Sequence, residues 1–482
     1  MKELKKKVKS TFERLPNYNT LVKPLHFGEA LLAGARAGFP ARKLKVIAVT
    51  GTNGKTTTCF LIWKMLCEAG YKTGLMTTVA WGGVMPTRAT SLGKSAKQNE
   101  ANRLNSELNH MTTVDTKTLN ARIKKIKDAG AEYLVLETTS HAMEQFRTLG
   151  VPVEIAVFTN LTHEHLDYHK TFENYKKAKC KLFKKAKYGI VNADDKSAKA
   201  FVKVSRKYIT YGIKNGKVRA KGVKLGVYGV EYSCGDMRIK VKIPGEFNVY
   251  NSLAAVAVGQ KLSLTDDEIE RGIFALENVE GRMMRVDEGQ DFAVIVDYAH
   301  TPDALEKVYR AIGDVSGRLI SVHGGAGRRD ESTREKRGEI LGKNSDFVIV
   351  TEDDSRDEDP EKIAEPFVKG AEKAGKVMGR DLAVNLDRDE AIRAAIRLAR
   401  KGDLVLLLGK GHEKTILRGD KAIPFEDAKV AKRYIREKMK ELEMKKEIEE
   451  QARKKREEVE KKLAAEKAKQ KRKKEEAYGN IL

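Results

Sequence analysis

The stretch that decides the fold is Val46-Ile-Ala-Val-Thr-Gly-Thr-Asn-Gly-Lys-Thr-Thr-Thr58. Its apolar, β-branched first half is typical of a buried parallel strand, and that strand ends at Gly51. A Gly-Lys-Thr turn follows, and the apolar residues from Phe60 to Leu66 then predict a helix. Because the N–H groups and the dipole of a helix N-terminus attract an anion, this strand, turn and helix predict a phosphate-binding loop.

The residue types of this loop suit a nucleoside triphosphate. The motif predicts that Lys55 reaches the terminal phosphates of ATP and that the Thr56 hydroxyl holds Mg²⁺. The general motif has a glycine where this chain has Val49, so an ordinary strand–turn–helix is the alternative. We expect the other loop contacts to the nucleotide to come from Gly51, Thr52, Asn53, Gly54 and Thr57.

Composition limits the class of protein. The chain has 482 residues, of which 41% are hydrophobic, and this is enough for two or three domains with apolar cores. No apolar run approaches the roughly 20 residues that cross a bilayer. The basic start of the chain lacks the apolar region of a signal peptide, and the four cysteines have no paired or metal-like spacing. We therefore expect a cytoplasmic protein without a transmembrane segment.

The net charge of +25 invites a nucleic-acid function. The excess charge is spread over the N-terminal arm, Lys176–Lys187 and the C-terminal tail, and aromatic residues are not interleaved with it as a stacking surface requires. We expect small-molecule substrates and no specific nucleic-acid partner. A non-catalytic nucleotide- or RNA-binding protein is kept as the alternative from another class.

Strand and helix patterns alternate along the chain and predict two α/β units. We divide the chain into a basic arm with a short helical segment (1–42), a doubly wound central ATP-binding domain (43–280) and a smaller Rossmann-like domain (281–435). The predicted strands are Lys45–Val49, Tyr133–Glu137, Ile155–Thr159 and Gly189–Val191 in the first unit, and Ala293–Asp297, Arg318–His323, Phe347–Thr351 and Leu404–Gly409 in the second.

The last part of the chain, 436–482, is rich in lysine and glutamate. Its sparse apolar positions do not hold a heptad, so the sequence favours a charged solvated helix or a disordered tail over a coiled coil. We expect a monomer.

Polar residues follow the predicted strands of the first unit at their carboxyl ends. Glu137 ends one strand, and a carboxylate at that edge is well placed for Mg²⁺, with an ordinary strand-end glutamate as the alternative. The next strand leads into Thr162-His-Glu-His-Leu-Asp-Tyr-His169, which holds three of the nine histidines. Zinc is not favoured, because the segment has no cysteine partner and no helical pair of histidines with a carboxylate base. We assign His165 to Mg²⁺ or phosphate.

The second unit repeats this arrangement. Asp297 and His300 follow one strand. Thr301 is a typical N-cap residue and Pro302 is typical of the first helical position, so a helix is predicted to begin there. Gly409-Lys-Gly-His-Glu413 follows another strand. Ligands bind at the carboxyl edge of such sheets, so both segments are candidate binding elements.

Taken together, these motifs resemble the Mur ligase family, and most of all the branch that adds the third residue of the peptidoglycan stem peptide. The matching stretches run from about Lys43 to Ile435. They are Thr50–Thr57, Glu137–His141 with Gln145 and Arg147, Ala156–Thr162, His165–His169, Tyr175–Phe183, Phe247–Asn251, Gly281–Met283, Asp297–Leu305 and Gly409–Glu413.

The resemblance implies an ATP-dependent amide ligase. In the family reaction a substrate carboxylate attacks the γ-phosphate to give an acyl phosphate, and an amine then displaces the phosphate. By resemblance, Lys55 and Thr56 hold ATP and a first Mg²⁺, while Glu137 and His165 hold a second. Lys179 matches the family's carbamylated lysine, whose carbamate is a carboxylate-like ligand of Mg²⁺.

The resemblance also implies nucleotide contacts from the second half of the chain. Asn251 would contact adenine, Asp297 the ribose, and Arg282 the γ-phosphate, with His300 beside them. The residues expected to act in catalysis are Lys55, His165, Lys179 and Arg282.

For the acceptor, the resemblance implies contacts from Thr112, Thr113, Ser140 and Arg147, with Val114 in place of the family's proline. For the incoming amino acid, the family's diaminopimelate type has Asp-Asn-Pro-Arg where this chain has Asp353-Asp-Ser-Arg356. Diaminopimelate is favoured and lysine is next. Arg356 and Arg329 are expected to bind carboxylates, and Glu413 is expected to bind the distal ammonium. Asp353 and Gly409 are the further implied contacts.

The family usually has a further N-terminal domain that grips UDP. Here the strand of the phosphate loop already begins near Lys45, so a lipid-linked or UDP-free muramoyl peptide is an alternative acceptor to UDP-N-acetylmuramoyl-dipeptide. Other amide ligases of the superfamily, of the folylpolyglutamate or cyanophycin synthetase type, are the alternative enzymes. Asp297–Leu305 and Gly409–Glu413 point away from them.

Overall fold

The computed structural model of the chain describes residues 23–84, 104–106, 113–162, 164–226, 228–313 and 315–479. Three features of the sequence analysis lie outside the described residues: the first part of the basic arm, Thr112 and His163. Within these ranges no helix is both long and apolar enough to cross a membrane.

The central unit is built on a nine-stranded sheet in the order β4-β3-β2-β5-β1-β6-β7-β8-β9. Seven neighbouring strands run parallel, in the order β2-β5-β1-β6-β7-β8-β9. At the edge beside β2, strands β3 and β4 pair antiparallel. The strand of the phosphate loop lies between β5 and β6, so the carboxyl ends of three strands meet there. The strands are β1 (Lys45–Thr50), β2 (Thr73–Met76), β3 (Ala80–Gly82), β4 (Leu104–Ser106), β5 (Tyr133–Glu137), β6 (Val153–Phe158), β7 (Tyr188–Asn192), β8 (Tyr208–Gly212) and β9 (Val218–Arg219).

Helices cover both faces of this sheet. The second helix follows the phosphate loop and is apolar almost all round, because it packs between the sheet and the two helices that end the unit. A three-stranded antiparallel sheet, β10 (Lys221–Gly226), β11 (Gly229–Cys234) and β12 (Met237–Val241), lies against those helices. The helices are α1 (Lys23–Arg36), α2 (Lys55–Glu68), α3 (Thr116–Asp128), α4 (Ser140–Glu144), α5 (Leu166–His169), α6 (Phe172–Lys185), α7 (Ala198–Val204), α8 (Glu246–Lys261) and α9 (Asp266–Phe274).

The second unit has a six-stranded sheet in the order β13-β14-β18-β15-β16-β17 and a separate hairpin. Thr301 caps its first helix and Pro302 takes the first helical position, as predicted. The strands are β13 (Met284–Arg285), β14 (Ala293–Asp297), β15 (Leu319–Gly325), β16 (Phe347–Glu352), β17 (Leu382–Val384), β18 (Leu404–Leu408), β19 (Thr415–Arg418) and β20 (Lys421–Pro424); the helices are α10 (Pro302–Ile312), α11 (Arg334–Asn344), α12 (Pro360–Lys373), α13 (Arg388–Leu398) and α14 (Asp427–Gly479).

The C-terminal helix starts earlier than the change in composition suggests. Its first turns are anchored in the second unit: Tyr434 and Ile435 are buried, and Asp427 pairs with Arg388 at 2.7 Å between Oδ2 and Nη2 with both side chains inaccessible. From Lys440 to Lys469 every side chain is exposed. The Lys/Glu-rich segment is therefore the continuation of a docked helix.

Candidate active site

The phosphate loop connects β1 to α2 and has no room for side chains at its two glycines. A Cβ at Gly51 would lie 1.9 Å from Thr159 Oγ1, and a Cβ at Gly54 would lie 2.3 Å from Asn251 Oδ1. Gly54 also has φ +80°, a conformation that favours glycine. The close packing leaves the backbone N–H groups at the start of α2 as the lining of the loop, which is the arrangement that binds phosphate.

Beside the loop, one oxygen of a buried carboxylate gathers three donors. Glu137 Oε2 accepts from Thr56 Oγ1 at 3.0 Å, from the Thr78 N–H at 3.0 Å and from Thr78 Oγ1 at 3.1 Å. Lys55 Nζ donates to the carbonyl of Thr52 at 2.6 Å. Hydroxyl and carboxylate oxygens at one point are the hard ligands that Mg²⁺ prefers. The structure thus brings Thr56 and Glu137 together, and it adds Thr78, which the sequence analysis missed.

Lys179 lies on the floor of the same loop. It projects from the middle of α6, it is 2% exposed, and its Nζ donates to the carbonyl of Gly51 at 2.7 Å. Burial, and then the nearby Lys55 ammonium, hold the pKa of Lys179 well below its usual range. Its Nζ also lies 4.7 Å from the centre of the Tyr175 ring. A buried amine in this position is held toward its neutral form.

The histidine segment separates into two environments. His165 is exposed, with φ +56° and its ring centre 4.9 Å from that of His141. His169 is buried, and its Nε2 lies 2.9 Å from Ser140 Oγ. His165 is therefore the accessible imidazole of this pair, while His169 positions the hydroxyl of Ser140.

The residues assigned to the acceptor form a layer behind Glu137. Thr113 Oγ1 donates to the Glu137 carbonyl at 3.3 Å and accepts from the Thr139 N–H at 3.3 Å. Arg147 donates through Nη1 to the Thr113 carbonyl and through Nε to Gln145 Oε1 at 2.9 Å. Partial burial lowers the pKa of Arg147. The structure thus connects Thr113 and Arg147 directly.

Asn251, assigned to adenine, lies against the phosphate loop. Its Oδ1 accepts from Thr58 Oγ1 at 3.2 Å and its Nδ2 donates to Asn248 Oδ1 at 2.8 Å. The side chain is 3% exposed. Within the described residues it supports the loop at Gly54.

Asp297, assigned to the ribose, ends β14 and organises the start of the second unit. Its oxygens accept from the Met283 N–H at 2.7 Å and the Ala299 N–H at 2.8 Å, and burial raises its pKa. The Arg282 guanidinium lies 4.8 Å from the centre of the Tyr298 ring. His300 is exposed, and its Nδ1 is 2.9 Å from the Tyr298 carbonyl. Asp297 therefore fixes the segment that carries Arg282.

Two residues assigned to the incoming amino acid, Asp353 and Glu413, contact a buried lysine. Lys410 Nζ donates to Asp353 Oδ1 at 3.0 Å, to Asp354 Oδ1 at 2.9 Å and to Glu413 Oε2 at 3.2 Å. Although burial opposes the charge on Lys410, these carboxylates raise its pKa above the usual value. Burial likewise opposes the charge on Asp353, but Lys410 and then Arg388 lower the pKa of Asp353 to about 2. Three carboxylates share one ammonium, so the cluster has an excess of negative charge.

Of the other residues assigned to the amino acid, Gly409 lies beside the cluster, whereas Arg356 and Arg329 have no direct contact with Lys410 among the described contacts. A Cβ at Gly409 would lie 3.2 Å from Asp353 Oδ2, so glycine allows the close approach. Arg356 donates through Nη1 to the Gly327 carbonyl at 2.9 Å, and Arg329 is exposed. The sequence analysis did not identify Lys410 as the centre of the cluster, although it placed that residue at the same sheet edge.

Comparisons with known proteins identify the family of this chain. The model of the Mur ligase middle domain matches residues 49–259, and that of the Mur ligase, glutamate ligase domain matches residues 281–411. The chain is 40% identical over 423 residues to the UDP-N-acetylmuramoyl-L-alanyl-D-glutamate–2,6-diaminopimelate ligase of Syntrophomonas wolfei, covering 85% of this chain and 82% of the relative.

It is also 38% identical over 451 residues to the UDP-N-acetylmuramyl-tripeptide synthetase of Roseiflexus sp., covering 88% of this chain and 83% of the relative. Among solved structures, a UDP-N-acetylmuramoyl-L-alanyl-D-glutamate–2,6-diaminopimelate ligase superposes with a TM-score of 0.59 at 29% identity, covering 82% of this chain and 79% of the other.

Proposed function

This chain belongs to the Mur ligase family, and we propose that it is an ATP-dependent ligase that joins an amino acid to the carboxylate of a muramoyl dipeptide in peptidoglycan synthesis. The observation that carries the proposal is the buried group of Thr56, Glu137 and Lys179 at the phosphate loop. A carboxylate beside the loop hydroxyl is common to nucleotide-binding proteins, but nucleotide binding alone has no need of a buried lysine with a lowered pKa at that point.

The residues around the loop fit a bound nucleotide with a divalent cation. The glycines leave a cradle that a Cβ would fill, and the hydroxyls of Thr50 and Thr138 are buried beside it with no hydrogen-bond partner among the described residues. Mg²⁺ would be held by the oxygens of Thr56 and Glu137, together with His165 and Lys179. When bound, the cation neutralises charge on the phosphate oxygens.

Lys179 serves this site as a carbamate. Burial lowers the pKa of its amine, and in the neutral amine the nitrogen lone pair adds to the carbon of CO₂ while one N–H proton is released to solvent. The product has a carboxylate-like oxygen where the unmodified side chain ends in an amine nitrogen. This explains why a lysine lies where a metal ligand is required.

Amide formation then proceeds in two displacements. The acceptor carboxylate attacks the γ-phosphorus of ATP, ADP leaves, and an acyl phosphate forms. The neutral amine of the amino acid attacks the acyl carbon, inorganic phosphate leaves, and the nitrogen loses its proton. Lys55 and Arg282 neutralise the charge that develops on the phosphoryl oxygens, while Ser140 and Arg147 hold the acceptor.

The second unit binds the incoming amino acid. Arg356 and Arg329 bind carboxylates of the substrate, and the excess negative charge around Lys410 favours a substrate with a second ammonium near Glu413. Diaminopimelate carries both an ammonium and a carboxylate at its distal centre, so it is the favoured substrate. Lysine, which lacks the distal carboxylate, is the second candidate. Because ATP is a substrate, the proposed reaction takes place in the cytoplasm.

The test is phosphate release by the purified protein with ATP and Mg²⁺. UDP-muramoyl-dipeptide and a UDP-free muramoyl dipeptide serve as acceptors, each with diaminopimelate, lysine or ornithine. We expect release that requires both an acceptor and diaminopimelate. Release with lysine alone would change the amino acid but keep the reaction. ATP binding without release under any combination would refute the ligase.

A further inference from the structure

Among the described residues, the second unit buries one arginine that has no counter-charge. The buried arginines in this part of the chain are Arg334, Arg337 and Arg388. Arg388 pairs with Asp427 at 2.7 Å, and Arg334 pairs with Glu358 at 2.7 Å. For Arg337 no described carboxylate lies within ion-pair distance, so its charge is the one that the described structure leaves open.

The contacts of Arg337 replace only part of what water supplies to a guanidinium. The side chain lies near the start of α11 and is 4% exposed. Its Nη1 donates to the His300 carbonyl at 3.1 Å, and its Cζ lies 4.7 Å from the centre of the Phe367 ring. Its Nε is buried with no hydrogen-bond partner among the described residues. The guanidinium therefore keeps a donor that an oxyanion would satisfy.

A buried charge without a partner is costly to the folded protein. Burial lowers the pKa of Arg337 to about 10, so the guanidinium is still protonated at neutral pH. Of the surrounding charges, that of Asp353 acts on Arg337 most strongly, but Asp353 Oδ1 already accepts from Lys410 Nζ at 3.0 Å. An isolated buried cation is expected where a ligand brings the opposite charge.

Arg337 lies between the amino-acid cluster and the residues assigned to the phosphoryl group. The His300 ring lies 4.6 Å from the Tyr298 ring, centre to centre. The Tyr298 ring lies 4.8 Å from the Arg282 guanidinium and 5.0 Å from the His412 ring. His300 is exposed, so the guanidinium lies just below the surface at this point. A short series of contacts therefore joins it to both parts of the site.

We propose that Arg337 binds the carboxylate beside the reacting amine of the incoming amino acid, an inference that rests on the proposed function. The reacting amine must approach the acyl phosphate near Arg282, while the distal ammonium lies near Glu413. The carboxylate on the same carbon as the reacting amine then lies between these two points, where the guanidinium of Arg337 supplies its counter-charge. Arg356 and Arg329 remain for the distal carboxylate.

A phosphoryl oxygen is the other oxyanion in this region, and the charges favour the carboxylate. Asp353 is the charge that Arg337 feels most, which places the guanidinium on the side of the amino-acid cluster. A phosphoryl group carries more negative charge than a carboxylate, so Asp353 would repel it more strongly there. The two sources predict different kinetic effects.

The experiment compares Arg337→Met with the wild type in steady-state kinetics of phosphate release. Losing a charge-assisted contact to a carboxylate weakens binding about ten- to a hundredfold, so the KM for diaminopimelate should rise by that factor. The KM for ATP and kcat should change less than about twofold. Arg337→Lys, which keeps the charge, should recover part of the loss. Lys336→Met, on the exposed face of the same helix, is the control and should change none of these constants.

A modified substrate identifies the group that Arg337 binds. We expect a high KM in the wild type for diaminopimelate with an amide in place of the carboxylate beside the reacting amine. Arg337→Met should raise that KM no further, because the two changes remove the same contact. Fully additive losses, or a rise in the KM for ATP with an unchanged KM for diaminopimelate, would assign Arg337 elsewhere and overturn the proposal.

Stability without substrates separates a binding role from a structural one. Since no described residue neutralises Arg337, Arg337→Met should unfold at a urea concentration at least as high as the wild type. Arg334→Met, which leaves Glu358 unpaired, should unfold at a lower one. A destabilised Arg337→Met with an unchanged KM for diaminopimelate would refute this inference alone. A wild type without amino-acid-dependent phosphate release would refute the ligase, and this inference with it.

Discussion

Replacing Lys179 by alanine tests the chemistry of the phosphate loop. The substitution removes an Nζ that lies 2.7 Å from the Gly51 carbonyl and leaves a small space where the side chain was buried. Losing one preorganised charged group at a transferring phosphate costs about 3–4 kcal/mol, so we expect kcat to fall about a hundred- to a thousandfold. Phosphate release with saturating ATP, acceptor and amino acid measures this loss.

A small carboxylate should restore part of the activity of the alanine variant. Formate or acetate is able to enter the vacated space and supply the oxygen that the carbamate supplies in the wild type. Lys179→Met, which fills the space with an apolar chain, should be equally inactive but should not respond. Lys176→Ala on the same helix, where Lys176 pairs with Glu173 at the surface at 2.6 Å, is the control and should keep full activity.

Stability provides a second readout of the same residue. In CO₂-free buffer without Mg²⁺, only the unfolded chain binds the Lys179 proton between its lowered folded pKa and the usual value of 10.5, so unfolding takes up a proton there. Stability of the wild type therefore rises with pH across that window. Lys179→Met should be the more stable protein at pH 7 in urea unfolding, with a difference that shrinks toward pH 10.5. Full activity of Lys179→Ala without any additive would refute the reasoning.

Three further predictions follow from the geometry. Gly54→Ala should raise the KM for ATP at least about tenfold in steady-state kinetics, because the new Cβ would lie 2.3 Å from an amide oxygen. The control is Gly70→Ala, where φ is similar but the surrounding space is open, and it should leave the KM for ATP unchanged. Lys410→Met should lower the free energy of unfolding in urea by about 3–5 kcal/mol, since it removes the ammonium that three carboxylates share. Lys421→Met at the surface should change it by almost nothing, and equal stability of the two variants would contradict the buried cluster. Glu413→Gln should raise KM for diaminopimelate about tenfold or more with kcat little changed, and an unchanged KM would remove Glu413 from the amino-acid site.

Much of the fold could be predicted because the signals are local. The run from Val46 to Thr58 carries its strand, turn and helix in one stretch, and the strands that follow are short apolar runs that end at polar residues. The predicted fold class and the family are confirmed by the observed sheets and by the similar proteins. The roles of the individual site residues remain predictions.

The sequence could not predict contacts that depend on how strands are ordered. Thr78 meets Glu137 because β2 lies beside β5, a neighbour relation that no local pattern contains. Lys410 meets Asp353 and Asp354 because β18 and β16 flank β15 with their carboxyl ends at one edge. The early start of α14 was missed for a similar reason, since the composition changes after the helix has already docked.

The central claim is that the acceptor carboxylate becomes an acyl phosphate, and oxygen transfer tests it most directly. The acceptor is prepared with ¹⁸O in its reacting carboxylate and is turned over with ATP, Mg²⁺ and diaminopimelate, and the released phosphate is analysed by mass spectrometry. Our account predicts that each phosphate released with amide formation carries one oxygen from the acceptor. Amide product accompanied by unlabelled phosphate would contradict it.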